Sequence, residues 1–171
     1  MSAEGDTRAV LVVDDEESIR NPLKKFLEQQ KFEVHAAASA AEALGVLRSH
    51  KIHVALFDIR MPGTSGIDLV PQALEVDPDL AILMLSAVND ATTAALCMQR
   101  GALDYLTKPI ELVDLNRAVQ RALKRRDMAL EGQKLQQWLR DEVKSRGAEV
   151  GAEQQKLHQL QVATLEALIN A

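Results

Sequence analysis

The chain alternates between short, unbroken apolar runs and longer segments whose apolar residues recur at helical spacing. Ala9-Val10-Leu11-Val12-Val13 is apolar throughout and stops at a run of acids, the pattern of a strand covered on both faces. In residues 18–30, Ile19, Leu23, Phe26 and Leu27 share one helical face, and Pro22 is placed in the first turn, where a missing N–H costs little. Residues 32–37 form a second strand. Ser39 caps a helix carrying Ala43, Leu44 and Leu47, and Glu42 completes a capping box. Residues 52–57 form a third strand ending in Asp58, and the run Met61-Pro62-Gly63-Thr64-Ser65-Gly66 is turn-rich. A helix over 67–76 is broken by Pro78. A strand over 80–85, an Ala-rich helix over 91–100 stopped by Gly101, and a strand over 102–106 follow, and Leu112 opens a long helix.

Five strand–helix units in about 115 residues predict an α/β fold, a parallel sheet with helices on both faces. Such sheets bind ligands at the carboxyl ends of their strands, where strand order reverses. The polar residues of this chain fall there. Asp14-Asp15-Glu16 end the first strand, Asp58 the third and Ser86 the fourth, and Lys108 follows the fifth. Carboxylates brought together repel one another, and a hard divalent cation such as Mg²⁺ relieves this through oxygen ligands. Asp15 and Asp58 are the expected direct ligands, with Asp14 acting nearby or through water. The Lys108 ammonium and the Ser86 hydroxyl suit phosphoryl oxygens, and an aspartate can attack phosphorus to give an acyl phosphate.

Asp14-Asp15, then Asp58-Ile59-Arg60-Met61-Pro62-Gly63, then Ser86-Ala87 and Thr107-Lys108-Pro109 together resemble the motifs of response-regulator receiver domains. The resemblance covers about residues 8–125, and four separate segments match in order and spacing. It implies a flavodoxin-like sheet in the order 2-1-3-4-5 and a phosphoacceptor role for Asp58, charged by a histidine kinase or phosphotransfer protein. It also implies Mg²⁺ (or Mn²⁺) on Asp15, Asp58 and the Arg60 backbone carbonyl, phosphate contacts from Ser86 and Lys108, and a cis bond before Pro109. Tyr105 matches the family's switch aromatic, which turns inward when Ser86 moves toward phosphate. Arg60 and Val88 match positions that tune phosphate lifetime.

Composition narrows the setting. The 171 residues are 47% hydrophobic but only 3% aromatic, so the core must be aliphatic. No apolar run has membrane-spanning length, the start lacks a secretory signal, and a single cysteine forbids an internal disulfide, which together favour the cytoplasm. Residues 1–115 carry 10 basic and 18 acidic side chains, whereas 116–171 carry 10 and 7. The tail is thus a different unit, but too weakly basic to demand nucleic acid. Cys97 reads as a small core residue, Met61 as packing, and His35, His50 and His53 as surface or structural groups. An aspartyl-phosphate phosphatase would carry a second acid two residues after its nucleophile, where this chain has Arg60. A histidine-kinase fragment would need an acid after His158, where Gln159 stands.

Residues 126–171 form the second domain, a helical, coiled-coil linker. Val143, Val150, Leu157 and Thr164 lie seven apart, with Leu139, Leu160 and Ala167 in the companion position and Arg146 and Glu153 interrupting it. Gly132, Gly147 and Gly151 weaken the helix, and a bend near 145–151 is expected. Burial of the stripe against a second copy predicts a parallel homodimer. Helix runs to the last residue without a capping signal, so an output domain is expected beyond it, and the segment resembles the linker before HD-GYP cyclic-di-GMP phosphodiesterase domains. The alternative is a stand-alone receiver–coiled-coil adaptor that works through protein–protein contacts.

Overall fold

The computed structural model describes residues 7–87 and 89–169. Five parallel strands, β1 (Ala9–Val13), β2 (Glu33–Ala37), β3 (Val54–Asp58), β4 (Ala81–Ser86) and β5 (Asp104–Thr107), form one sheet in the order β2-β1-β3-β4-β5. The connecting helices are α1 (Glu17–Gln29), α2 (Ala40–Ser49), α3 (Gly66–Val76) and α4 (Ala91–Arg100), and α5 (Leu112–Ile169) follows β5. The flavodoxin-like order expected from the motifs is the one observed.

Alternation along the strands sorts the core into two layers. Leu11, Val13, Ala55, Phe57, Ile82 and Met84 face one way and pack with residues of α2, α3 and α4. Val10, Val12, Val54, Leu56, Leu83 and Leu85 face the other way and pack with Leu23 and Leu27 of α1 and with Leu115, Val119 and Leu123 of α5. Strands buried on both faces must be apolar at nearly every position, which is why the sequence shows runs and not alternation.

Several local details differ from the sequence reading. The helix α1 begins at Glu17, so Pro22 sits in its second turn and not the first. One backbone hydrogen bond is forgone there, and burial of Leu23 and Leu27 on the same helix outweighs it. The Ser39 hydroxyl accepts from the Glu42 N–H as a cap should, but the Glu42 carboxylate accepts from Ala38 and not Ser39. The fifth strand starts two residues late because Gly101 (φ 109°) and Ala102 close the end of α4, donating to the Met98 and Cys97 carbonyls. The long helix α5 is unbroken through residues 145–151.

The chain divides into two units, Met1–Met128 and Ala129–Ala171. Within the first, Arg8 grips Asp127 through two hydrogen bonds of 3.1 and 3.0 Å, tying the lead into β1 to α5. In the second, Leu135, Trp138, Leu139, Val143, Val150, Leu157, Leu160 and Leu165 are exposed.

Candidate functional site

The pocket lies at the carboxyl ends of β1 and β3, the neighbouring strands from which the chain departs in opposite directions along the sheet. Asp14 is fully buried, Asp58 is 4% exposed, and Asp15 faces solvent. Oxygen atoms of all three carboxylates lie within 4.8 Å of one another, the spacing a small oxygen-liganded cation requires. Lys108, carried over the rim by the loop after β5, donates to Asp14 Oδ2 at 2.8 Å and Asp58 Oδ1 at 2.9 Å. Its peptide bond to Pro109 is cis, as the resemblance implied.

Backbone hydrogen bonds fix each arm. The Asp14 N–H donates to the Ala37 carbonyl, the Ile59 N–H to the Leu85 carbonyl, and the Lys108 N–H to the Ser86 carbonyl. Ser86 is buried at 2% exposure beside Asp58, because β4 pairs with β3 in register at that rim. Tyr105 is half-buried on β5 opposite Met84, one pleat below the Ser86–Thr107 pair, and packs on the sheet core. Arg60 projects an exposed side chain just past Asp58, whereas Val88 lies outside the described residues.

Electrostatics reflect the crowding. Burial raises the Asp58 carboxyl above its usual range, the negative charges of Asp14 and Asp15 add to this, and Lys108 opposes it. Burial works against the Lys108 charge, but the hydrogen bonds and charges of Asp14 and Asp58 outweigh it and hold that ammonium above its ordinary value. The lysine is therefore a fixed cation across the physiological range.

Two residues of the site carried no recognisable signal in the sequence. Arg20 on α1 donates to the Asp14 backbone carbonyl at 2.6 Å, steadying the β1–α1 loop. Gly66 read only as the end of a turn-rich run, yet the first turn of α3 is packed onto the backbone that carries Asp58. A Cβ there would overlap the Asp58 carbonyl oxygen and sit 2.8 Å from its carbon and 3.1 Å from Ile59 Cα. All three obstacles are backbone, so a side chain cannot move aside to make room. Gly66→Ala should cost about 3 kcal/mol in urea unfolding; a loss below about 1 kcal/mol would mean that the loop relocates freely.

The remaining candidates are structural. Cys97 is fully buried and burial pushes its thiol up, away from reactivity. His53 is buried, and its Nδ1 accepts from the Ala9 N–H at 3.0 Å, capping the start of β1. His35 pairs with Glu33 and lies against His50, away from the rim. Among the described residues no helix is long and apolar enough to cross a membrane.

A doubly wound parallel sheet with an acidic pocket and a bridging lysine at its switch point is the architecture of a receiver-type signalling domain. The chain belongs to the response regulator receiver domain family, whose sequence profile matches residues 10–120. Over 127 residues it is 33% identical to the C4-dicarboxylate transport transcriptional regulatory protein DctD of Rhizobium meliloti, covering 74% of this chain and 28% of that one. A CheY-like receiver protein from Methanospirillum hungatei superposes with a TM-score of 0.69 at 27% identity, over 72% of this chain and 99% of that one. A receiver domain protein from Clostridium thermocellum gives 0.67 at 33% identity, over 71% and 98%. The chain thus spans about a quarter of DctD but nearly all of the isolated receivers.

Proposed function

We propose that this chain is the phosphorylation-controlled input of a two-component response regulator, with Asp58 as the residue that accepts the phosphoryl group from a histidine kinase or phosphotransfer protein. The observation that carries this reading is the convergence of Asp14, Asp15 and Asp58 on one rim with Lys108 bridging two of them. An Asp58 carboxylate oxygen forms a bond to phosphorus as the donor's phosphorus–nitrogen bond breaks; an acyl phosphate is left on the chain, and the donor ring, protonated on its other nitrogen, departs as a neutral imidazole. The Lys108 ammonium and the Ser86 hydroxyl hold the phosphoryl oxygens. Asp15, Asp58 and the Arg60 backbone carbonyl, with Asp14 through water, suit Mg²⁺ or Mn²⁺, which would neutralise charge on the transferring group. Beside Lys108 an apolar groove lined by Ile19, Leu23, Pro109, Ile110 and Leu112 suits a helix of the phosphodonor.

On this reading phosphate draws Ser86 inward, Tyr105 follows, and the change passes through α5 to a parallel homodimer of the tail and to an output domain, with an HD-GYP phosphodiesterase one candidate. Residues 8–125 serve as the receiver and 126–171 as the linker. The adaptor alternative shares the switch and differs only in what the tail engages. Incubation with acetyl phosphate and Mg²⁺, read by intact mass, tests the core of the proposal. One phosphoryl group should be gained, on the peptide holding Asp58, and chelation of the metal should prevent it. Labelling elsewhere, or none with metal present, would overturn it.

A further inference from the structure

The exposed apolar residues of Ala129–Ala171 do not follow one heptad. Val143, Val150 and Leu157 lie seven apart, all more than half exposed, and Leu160 takes the companion position. Continued back toward the N-terminus, that frame would place Gln136 and Gly132 on the seam. Leu139 fits that frame, but the exposed leucine before it stands at Leu135 in place of Gln136, so Leu135, Leu139 and Val143 are spaced four and four. Two consecutive spacings of four are an insertion of four in the heptad, which locally unwinds a left-handed supercoil and leaves the helices nearly straight. We infer that a second copy of this chain covers the stripe as a parallel two-stranded coil whose seam changes phase at Leu139.

The inference rests on the homodimer reading above and sharpens it. Three observations favour a second copy as the occupant. Leu157, Leu160, Gln161, Thr164 and Leu165 outline an apolar hollow on the helix, and the first four are spaced as the hole that receives one companion-position side chain of a partner helix. β-branched Val143 and Val150 at the first seam position, with Leu139 and Leu160 at the other, is the distribution that parallel two-stranded coils prefer. Arg146 interrupts the seam, but its Nε donates to Glu142 Oε1 at 2.8 Å, which draws the guanidinium toward the flank and neutralises it. Pairing over a helix of this length would remove on the order of 1,000 Å² or more of surface from water, the scale of specific interfaces.

The seam predicts a cross-linking pattern with no free parameter. In the whole chain carrying Cys97→Ala, single cysteines should form same-position disulfides best at 135, 139, 143, 150, 157 and 160, and several-fold less at 136, 144 and 151. An unbroken heptad reverses the order at the first pair, with 136 above 135. That outcome would overturn the phase change and leave the dimer intact. No cross-links at any position, with a monomer at high micromolar concentration in sedimentation, would remove the dimer and the inference with it. Cross-links confined to a single mid-tail position would indicate an antiparallel pair and overturn the inference as well.

Discussion

Asp58→Asn should take up no phosphoryl group from acetyl phosphate and should be more stable than the wild type at neutral pH in metal-free buffer. The first effect follows because an amide oxygen is a far weaker nucleophile than a carboxylate and carries no charge to bind the metal. The second follows from the pocket's electrostatics. Burial and the neighbouring Asp14 and Asp15 raise the folded-state pKa of Asp58 above its unfolded value. Stability linked to such a group is full below the unfolded carboxylate value and is lost as pH rises through the folded pKa. Neutral pH lies on the losing side, so removing the charge stabilises the fold, by about 1 kcal/mol once the lost Lys108 contact is set against it. Intact mass and a thermal melt of the same two proteins check both effects. A variant that gains phosphate on the same peptide, or melts several degrees lower, would contradict this account.

A large, pH-dependent stability effect is expected at Lys108. Its ammonium is mostly buried and is held by two carboxylates that are themselves buried. Lys108→Ala leaves Asp14 and Asp58 facing one another without a cation, a loss of about 3 kcal/mol at neutral pH. The gap between variant and wild type should close from both ends of the pH scale. Toward acid, Asp58, whose carboxyl burial already raises, protonates and needs no partner. Toward strong alkali, the wild-type lysine loses its proton, and with a folded-state pKa above its ordinary value its contribution persists through neutrality and disappears only there. Millimolar Mg²⁺ should rescue the variant more than the wild type, because the cation takes over the neutralisation. Urea midpoints across pH, with and without Mg²⁺, test this; a gap that does not change with pH would show that Lys108 acts through packing and not charge.

Much of the site was legible before any coordinates. Strand ends are recognisable because a buried parallel strand is uniformly apolar, so the acids after Val13 and Phe57 and the Ser86 hydroxyl stand out. Lys108 stands out as the polar group that follows the fifth strand, and Thr107 and Pro109 beside it carry the family resemblance. Arg20 and Gly66 were not, since each acts on backbone atoms, Arg20 on the Asp14 carbonyl and Gly66 on the Asp58 carbonyl. A backbone contact between distant segments leaves no compositional trace. The ends of α1 and β5 slipped for a related reason. Pro22 in a second turn is tolerated only because packing outweighs local preference, and residues 101–102 are taken up by closure of α4.

Hydrophobic periodicity, a short-range property written directly in the chain, determined the number, order and type of elements and therefore which polar residues reach the sheet's carboxyl rim. It also set the spacing of the tail's apolar residues. Only the tertiary structure decided the division of labour within the rim: Asp14 sequestered, Asp15 open to solvent, and Lys108 bridging Asp14 and Asp58. These outcomes depend on distances between segments 44 to 94 residues apart. Such distances are fixed by strand register and by how helices pack across the sheet, and no local pattern encodes them.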